Sequence, residues 1–448
     1  MNGSLSYPDA VRALQSRGRF GMRLGLERIA AILAELGNPE RHLRGALVAG
    51  TNGKGSVVAL ARSALNAAGI RVGSMPKPHL VSYRERIALD GVPLSESAFA
   101  DAVAGVLPAT DAVASRLGDP TEFEVLTAVA FAELARQRVE VALVEVGLGG
   151  RLDATNVLDP GVAVVTNVAK DHERYLGHTL AAIGAEKAAI IKPGDLAVTG
   201  ARGRGLRPVL DRCAALGVPL RRAGPRQAYR WALRDAGWDG LLLDVRAGGR
   251  ELRDLRVGLL GVHQAQNAAV ALAMLDALRD DGERRGARLS ALDDDAVRRG
   301  FAAARWPGRL ELIRHPRFGP VLLDGAHNPA GARALAEAMV RLGLHDAPLV
   351  FGAMRDKRVA AVLRQLAPLR PRPVFTHVDD PHALASSALL RRWRRIAGDG
   401  GRIAEDPAGA LELAADLRRA PDQPIVVAGS LYLVGAVRGM LLPERSDA

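Results

Sequence analysis

The chain has 448 residues, 48% of them hydrophobic, which is enough for two or three domains with buried cores. Its net charge is +12, but aromatic residues make up only 4%, so we expect no nucleic-acid partner. The sequence has no apolar run of about 18 residues, no signal-peptide pattern and one cysteine, Cys213, which predicts a cytoplasmic protein with no membrane partner.

The first predicted elements lead to a glycine-rich loop. The pattern of residues 1–45 predicts packing helices, and a short apolar strand then ends at Ala49. Three glycines, one lysine and the hydroxyl group of a serine are among the residues that follow, and small residues allow backbone N–H groups to surround a phosphate at a helix N-terminus. Lys54 would reach the outer phosphates of a nucleotide, and Ser56, near the predicted helix start, would ligate Mg²⁺. A glycine-rich turn without function is the alternative, because the spacing departs from the strict phosphate-loop pattern.

A proline-stiffened loop comes after the next predicted strand, at 70–75. Pro76 and Pro78 force an extended backbone that presents Lys77 and His79. Beyond this loop, the sequence predicts a strand at 84–89, a helix at 95–106 and another helix from about 120 to 138.

Polar residues stand at the ends of the next two predicted strands. The apolar run that begins at 139 ends in Glu145 and glycines, and the run 162–166 is followed by a polar cluster that contains His172. The carboxyl ends of parallel strands share one edge of a sheet. If the sheet is parallel, Ser56, Glu145 and His172 therefore converge there.

The lysines of this chain are rare enough to be informative. Only six of the 61 basic residues are lysine, and all six lie in or beside stretches with other functional signals. A retained lysine indicates a position where a guanidinium cannot replace a compact, reactive amine. One of them, Lys187, follows Glu186 in a helix predicted at 179–191.

The remaining pattern predicts a second domain. A helix at 206–216 and an alanine-rich helix at 268–278 precede a charged segment, 280–295, that resembles an exposed connection. Strands and helices alternate afresh after 306, which predicts domains at 1–300 and 306–448. We expect an α/β protein with an N-terminal P-loop ATPase domain, whose sheet is mostly parallel, and a smaller C-terminal Rossmann-like α/β domain.

Several motifs occur in order between about residue 20 and residue 440. They are Ala-Gly-Thr-Asn-Gly-Lys-Gly-Ser, Pro-His-Leu, Glu-Val-Gly-Leu-Gly-Gly-Arg-Leu-Asp-Ala-Thr-Asn, Asp-His, Glu-Lys-Ala-Ala-Ile-Ile-Lys-Pro-Gly, His-Gln-x-x-Asn-Ala-Ala, Trp-Pro-Gly-Arg, Asp-Gly-Ala-His-Asn-Pro and Gly-Ser-Leu-Tyr-Leu-Val-Gly. Together they resemble the folylpolyglutamate synthase/dihydrofolate synthase family of the Mur ligase superfamily. The glycine-rich loop alone indicates only the superfamily, whereas the runs 145–156 and 186–194 point to the folate branch.

The resemblance implies an ATP-dependent ligase. A folate or dihydropteroate carboxylate would attack the γ-phosphate of ATP, and the amine of L-glutamate would then displace phosphate from the acyl phosphate. The resemblance assigns catalytic roles to Lys54, Lys187, His172 and His327, the last of them near the incoming glutamate. Lys187 would be carbamylated and would support a second Mg²⁺, a conversion that arginine could not undergo.

The resemblance also assigns binding residues. Those for ATP are Gly50, Thr51, Asn52, Gly53, Lys54, Gly55, Ser56, Asn267, Arg309 and Asp324. Those for two Mg²⁺ sites are Ser56, Glu145, His172 and Lys187. Those for the substrate are Lys77, Pro78, His79, Thr121, Phe123, Asp153 and Ala154, with a pterin stacked on Phe123 and hydrogen-bonded to Asp153.

Two positions depart from the family pattern. Pro76 and Lys77 stand where threonine and serine are usual, and Lys170 stands where a small or apolar residue is usual. Both changes add positive charge near the predicted metal sites.

Other functions remain open at this point. Another Mur-type ligase would keep the phosphate loop and Lys187 but would act on a different carboxylate. A P-loop ATPase or kinase acting as a switch would leave the second domain without a role. Within the folate family, dihydrofolate synthesis, folate extension or both are compatible with the sequence, and we expect a monomer.

Overall fold

The computed structural model describes residues 5–17, 25–286 and 289–442. The chain divides into two compact units, which are described separately. The first comprises residues 1–232, 244–255 and 266–304, and the second comprises residues 233–243, 256–265 and 305–448. The units differ from the predicted domains in that 233–243 and 256–265 group with the C-terminal part of the chain.

The first unit is built on an eight-stranded sheet with the order β4-β3-β2-β5-β1-β6-β7-β8. Its strands are β1 (Gly45–Ala49), β2 (Val72–Met75), β3 (Ala88–Leu89), β4 (Val92–Pro93), β5 (Val141–Glu145), β6 (Gly161–Val165), β7 (Leu196–Thr199) and β8 (Leu220–Arg222). The neighbouring strands in the run β2-β5-β1-β6-β7-β8 are all parallel. The pairs β2–β3 and β3–β4 are antiparallel. The apolar runs of β1, β5 and β6 are buried, as parallel strands covered on both faces require.

Helices accompany this sheet. They are α1 (Tyr7–Gln15), α2 (Glu27–Glu35), α3 (Lys54–Ala67), α4 (Glu96–Leu117), α5 (Glu122–Arg136), α6 (Glu173–Leu176), α7 (Leu180–Ala188), α8 (Arg207–Leu216), α9 (His263–Arg284) and α10 (Asp294–Ala303). One core cluster includes Leu14 of α1, Ile32 of α2, Phe99 of α4 and Phe131 of α5. None of the helices in the described part of the chain is long and apolar enough to cross a membrane.

Three local predictions for the first unit are wrong. Residues 84–89 are not one strand, because Ser82 and Glu85 form a capping box that winds Tyr83–Arg86 into a 3₁₀ helix before β3. The helix predicted at 95–106 continues to Leu117, with Pro108 on its exposed side.

The third concerns the exposed connection predicted at 280–295, where most described residues are exposed but the bounds are wrong. α9 continues to Arg284 and α10 begins at Asp294, so only a short segment separates them. Asp281 is buried and accepts a hydrogen bond from Arg285 Nε at 3.0 Å. Pairing of this carboxylate offsets the cost of burying its charge.

A small antiparallel sheet contributes residues to both units. Its strands are β9 (Arg230–Gly237), β10 (Gly240–Ala247) and β11 (Arg250–Val257), in the order β11-β10-β9.

The second unit contains a six-stranded sheet with the order β12-β13-β17-β14-β15-β16. Its strands are β12 (Arg309–His315), β13 (Gly319–Asp324), β14 (Pro348–Phe351), β15 (Arg372–Phe375), β16 (Arg402–Ile403) and β17 (Ile425–Ala428). β12 is antiparallel to β13, and the other pairs are parallel. Its helices are α11 (Pro329–Arg341), α12 (Val359–Leu366), α13 (Ser386–Ala397), α14 (Pro407–Asp416) and α15 (Leu431–Leu441). Both sheets, with their helices, confirm the predicted α/β class.

Candidate active site

The loop after β1 disfavours side chains at its first and fourth positions. Gly50 and Gly53 have φ angles of 152° and 82°. A Cβ atom on Gly50 would lie 1.8 Å from Thr166 Oγ1, and one on Gly53 would lie 2.5 Å from Asn267 Oδ1. The backbone of residues 50–53 therefore runs close to its neighbours, which suits a loop that presents N–H groups to a phosphate.

Side chains around β6 brace this loop. Asn52 N donates to Asn167 Oδ1 at 3.0 Å, and Thr166 Oγ1 donates to the Asn52 carbonyl oxygen at 2.7 Å. Thr51 Oγ1 donates to the Ala169 carbonyl oxygen at 3.1 Å. The loop is thus held in shape by the chain itself, which is the preorganisation that charge stabilisation requires.

Lys54 begins α3, two residues before the predicted helix start near Ser56. Its Nζ donates to the carbonyl oxygens of Gly50 at 3.1 Å and Thr51 at 3.5 Å. The same amine lies 3.7 Å from Glu145 Oε1. An ammonium group held between loop carbonyls and a carboxylate is positioned to meet the phosphates of a nucleotide in this loop.

The strand ends meet at one edge of the sheet, as predicted. β1 lies between β5 and β6 and is parallel to both, with Val48 opposite Glu145. Glu145 is the last residue of β5 and is only 4% exposed. His172 directly precedes α6 in a left-handed conformation, with its Nε2 3.8 Å from Asp171 Oδ1. The parallel sheet is confirmed, whereas the roles of these side chains as metal ligands stay predictions.

Lys170 contacts a carboxylate of its own segment. Its Nζ lies 3.1 Å from Glu173 Oε1, and nearly half of its side chain is exposed. The Glu173 carboxylate therefore partly offsets the positive charge of Lys170, and neither residue belongs to the loop of residues 50–53.

Lys187 is buried in α7. Its exposed fraction is 3%, and burial lowers the pKa of its amine to about 7. The positive charge of Lys54 acts in the same direction, while Asp171, Asp153 and Glu186 oppose the shift. A buried amine that is partly neutral near pH 7 is a nucleophile, which fits a lysine that reacts with CO₂.

The loop after β5 packs directly on the α7 backbone. Arg151 N donates to the Glu186 carbonyl oxygen at 3.0 Å, and Arg151 Nε donates to the Glu186 carboxylate at 2.9 Å. A Cβ atom on Gly150 would lie 2.5 Å from the Glu186 carbonyl oxygen and 3.2 Å from Lys187 Cα.

We therefore expect Gly150→Ala to displace α7, with Lys187 on it. The variant should lose about 1–3 kcal/mol of stability and most of its catalytic rate. Gly105→Ala is the matched control, because a Cβ atom there meets nothing within 4 Å on the exposed side of α4. Thermal unfolding and kcat of both variants measure the difference, and a wild-type kcat for Gly150→Ala would show that this contact does not position Lys187.

Lys77 lies against Phe123 and Asp153. Its backbone N donates to Glu145 Oε2 at 3.2 Å, and the peptide bond to Pro78 is cis. Its Nζ is 3.5 Å from the Phe123 ring centroid and 4.0 Å from Asp153 Oδ1, and it forms no hydrogen bond to any described residue. Burial lowers the pKa of this amine to about 7, while the Asp153 carboxylate opposes the shift. Lys77 therefore lies among residues predicted to bind the substrate.

Asp153 organises the loop that carries it. Its Oδ2 accepts hydrogen bonds from Gly147 N at 3.0 Å and Leu148 N at 2.9 Å, and its Oδ1 accepts from Thr155 N at 3.1 Å. Ala154 begins the 3₁₀ turn Ala154–Val157 next to it. A contact between Asp153 and a pterin stays a prediction, and it would come in addition to these bonds.

Two further predicted substrate residues have local partners. Thr121 caps α5, with its Oγ1 accepting from Glu124 N at 3.3 Å. His79 accepts a hydrogen bond from Arg86 Nε at 2.9 Å, and its ring lies 4.3 Å from the Tyr83 ring. Sequence reasoning did not include Arg86 and Tyr83 as site residues, because only a 3₁₀ turn in place of the predicted strand brings both to His79.

In the second unit, predicted residues gather at the paired ends of β12 and β13. Arg309 lies opposite Asp324, whose Oδ2 accepts from Leu310 N at 3.0 Å and whose Oδ1 accepts from Ala326 N at 2.9 Å. Burial raises the pKa of Asp324, and Arg309 opposes this shift. His327 Nδ1 lies 2.8 Å from the Gly325 carbonyl oxygen.

His263 was not predicted as a site residue. It begins α9, and burial together with the charge of Arg309 lowers its pKa to about 4. The His-Gln-x-x-Asn-Ala-Ala motif was the available signal, since His263 is its first residue. Asn267 of the same motif lies in the first unit, next to Gly53.

The donors around the phosphate loop fit Mg²⁺. The described residues contain no cluster of three histidine, cysteine or acidic side chains that could hold a metal alone. Mg²⁺ is commonly held by one or two protein oxygens and by substrate phosphates, and Ser56 and Glu145 are buried oxygen donors at the loop and the adjacent strand end.

Comparisons with known proteins agree with this arrangement. The model of the Mur ligase middle domain matches residues 48–275, and that of the Mur ligase glutamate ligase domain matches residues 308–431. The chain is 34% identical to the dihydrofolate synthase/folylpolyglutamate synthase of Bacillus subtilis, over 97% of this chain and 99% of that protein.

Solved structures are similar over the same length. Mycobacterium tuberculosis folylpolyglutamate synthase complexed with ADP has a TM-score of 0.88 and 35% identity, covering 98% of this chain and 99% of that one. Bifunctional folylpolyglutamate synthase/dihydrofolate synthase of Yersinia pestis, complexed with AMPPNP and a Mn ion, has a TM-score of 0.83 and 29% identity, covering 97% of this chain and 98% of that one.

Proposed function

The chain belongs to the Mur ligase family, within its folylpolyglutamate synthase/dihydrofolate synthase branch, and from this premise we propose that it joins L-glutamate to a folate or pteroate carboxylate at the expense of ATP. The observation that carries the proposal is the preorganised loop of residues 50–53, which is followed directly by Lys54, whose Nζ lies 3.7 Å from Glu145 Oε1. The reaction would proceed in two steps through an acyl phosphate.

The first step needs charge stabilisation. A carboxylate oxygen of the substrate attacks the γ-phosphorus of ATP, the bond to the β-phosphate oxygen breaks, and ADP leaves. Lys54 and the N–H groups of the loop and of the first turn of α3 offset the charge of the transferring group. Their fixed positions mean that little reorganisation accompanies the step.

Mg²⁺ supplies neutralisation of phosphate charge when bound. Ser56 and Glu145 would hold it at the loop, and His172 is the nitrogen donor that the family resemblance adds. A second Mg²⁺ site would require the Lys187 amine to be converted into a carboxylate.

Lys187 is the residue that we propose to be carbamylated. Its neutral amine would attack CO₂, forming a C–N bond and releasing one proton to solvent. The new carboxylate would stand near Lys54, whose positive charge lowers the pKa of the free amine and would stabilise an anion in its place.

The second step forms the amide. The amine of glutamate attacks the acyl carbonyl carbon, phosphate leaves, and the amine loses a proton. We propose that His327 lies near the incoming glutamate and that Asn267, Arg309 and Asp324 contact ATP. Burial raises the pKa of Asp324, but its two backbone donors and Arg309 favour the anion.

The substrate pocket would be lined by Pro78, His79, Thr121, Phe123 and Ala154. Thr121 and His79 are each fixed by a hydrogen-bond partner, which makes the pocket wall rigid. Lys77 and Asp153 add one positive and one negative group beside the Phe123 ring.

Lys77 provides a test of this pocket. We expect Lys77→Ser to raise KM for the folate or pteroate substrate roughly tenfold, because its cation–π contact and ion pair order Phe123 and Asp153. A higher Mg²⁺ requirement with an unchanged KM would instead place the amine at the phosphates. Lys170→Ser, which removes a lysine paired with Glu173, is the control and should change neither quantity. Unchanged kinetics in both variants would make Lys77 a bystander.

The experiment that tests the proposed function is product analysis. The protein is incubated with ATP, Mg²⁺, labelled glutamate and either dihydropteroate or tetrahydrofolate, and product masses are measured. One added glutamate per dihydropteroate identifies dihydrofolate synthesis, and added glutamates on tetrahydrofolate identify extension. ATP hydrolysis without glutamate transfer would refute both.

A monomeric state and a cytoplasmic location are further proposals, which size-exclusion chromatography and cell fractionation test.

A further inference from the structure

A cavity of about 530 Å³ lies in the first unit, outside the candidate active site. It is bounded by β8, the turn between β10 and β11, and α9. Its charged lining comprises Arg221, Arg222, Arg250, Arg279, Asp276 and Asp280. Four guanidinium groups thus face two carboxylates in a space large enough for a small organic ligand.

The carboxylates of this cavity are already engaged. Asp276 accepts hydrogen bonds from Tyr229 Oη at 2.9 Å, Arg250 Nη2 at 2.9 Å and Arg279 Nη2 at 2.6 Å. Burial and the Asp276 charge raise the pKa of Tyr229, so its hydroxyl group remains a donor. Asp280 pairs with Arg221 Nη2.

Three arginines of the cavity, Arg221, Arg222 and Arg250, have donors without a hydrogen-bond acceptor among the described residues. Arg221 Nη1 is buried and has no hydrogen-bond partner in the part of the chain that the structure describes. Among the same described residues, the Arg222 guanidinium forms neither a hydrogen bond nor an ion pair. Arg250 is different, because it also pairs with Asp294 at 2.9 Å. Arg221 Nη1 and the Arg222 guanidinium are therefore the donors available to a ligand, and the unmatched positive charge belongs to Arg222, since Arg221 also pairs with Asp280.

The cavity is separate from the predicted ATP residues but lies towards the same edge of the sheet. Arg221 and Arg222 end β8, which is three strands from β1 in a parallel arrangement, or about 14 Å at the usual strand spacing. Along α9, Asp276 comes nine residues after Asn267, again about 14 Å. Ligands commonly bind outside the carboxyl ends of parallel strands.

We propose that this cavity binds a ligand with several oxyanion groups, which Arg221 and Arg222 contact. Guanidinium groups match carboxylate and phosphate oxygens in paired hydrogen bonds, and the saturated Asp276 leaves the ligand as the remaining acceptor. The γ-glutamyl tail of a folate is a source of such carboxylates that rests on the proposed function. Free phosphate is the other source of the same chemistry.

Calorimetry on the full-length protein distinguishes the two sources. The protein is first saturated with AMPPCP and Mg²⁺, and it is then titrated with tri-γ-glutamate or with inorganic phosphate. We expect binding of at least one probe, weakened about tenfold or more in Arg222→Gln. Arg204→Gln is the matched control, since Arg204 is exposed and lies outside the cavity.

Each outcome has a definite meaning. Binding of tri-γ-glutamate that depends on Arg222 supports a site for the folate tail, and Arg222-dependent binding of phosphate alone supports a free-phosphate site. Binding of neither probe below about 1 mM overturns the proposal, as does equal binding by wild type and Arg222→Gln. The assay requires no turnover, so failure of the proposed ligase activity would be seen separately in product analysis.

Discussion

Lys54→Ala should reduce kcat at least about 10³-fold while the protein remains folded. Lys54 is the only lysine in residues 50–56, and its amine would meet the phosphoryl group as charge develops there. Its present contacts are two loop carbonyl oxygens and Glu145 at 3.7 Å, so its loss should change stability by only about 1 kcal/mol. Rapid-quench measurement of ADP formation, with thermal unfolding in parallel, tests both expectations.

Two control variants sharpen this test. Lys54→Arg keeps the charge but replaces a compact amine by a planar group, and we expect it to recover little of the rate. Arg204→Ala removes an exposed positive charge elsewhere in the first unit and should leave kcat unchanged. A folded Lys54→Ala protein that retains a tenth of the wild-type kcat would contradict the assignment of this loop to ATP.

The edge of the sheet that carries the candidate site could be predicted because its strands are buried on both faces. Such strands appear in a sequence as continuous apolar runs, and those of β1, β5 and β6 end in glycines or polar residues. Short strands have no comparable signal, and β3, β4 and β16 have two residues each. α13 does carry a helical signal in its sequence, since Leu389 and Trp393 are buried four residues apart among its arginines.

Local hydrogen bonding could not be predicted from residue spacing. The family resemblance assigned Asp153 and Thr121 to a substrate pocket, but their local partners are the loop 147–155 and the start of α5. Lys77 shows the same limit, because a sequence does not tell whether a side chain turns towards phosphates or towards Phe123. Side-chain directions depend on packing between elements that are distant in the chain.

Substitution of Lys187 should abolish activity in a way that added carboxylic acids partly reverse. We expect Lys187→Ala to be nearly inactive and partly rescued by short carboxylic acids, which would replace the missing carboxylate. Lys187→Arg should fail, because a guanidinium group keeps the charge but does not form a carbamate. Steady-state assays with and without added acetate measure rescue, and a Gly105→Ala protein serves as an unrelated folded control.

The modification itself should be visible without any turnover. With ¹³C-bicarbonate, the wild-type protein should show a carbamate carbon signal that Lys187→Ala lacks. Carbamate formation consumes the neutral amine and releases a proton, so the signal should grow as pH rises from about 6 to 8, through the lowered pKa of about 7. Lys77→Ser should retain the signal, which excludes the other buried amine whose pKa is about 7.

Lys192 is the matched comparison for Lys187. It lies five residues further along and is also largely buried, which lowers its pKa, but its Nζ donates to Asn156 Oδ1 and the Leu158 carbonyl oxygen at 2.9 Å. An amine engaged with acceptors in this way should resist CO₂, so Lys192→Ala should keep the carbamate signal. An active Lys187→Arg protein, or a carbamate signal that survives in Lys187→Ala, would show that Lys187 serves only as an ion-pair partner.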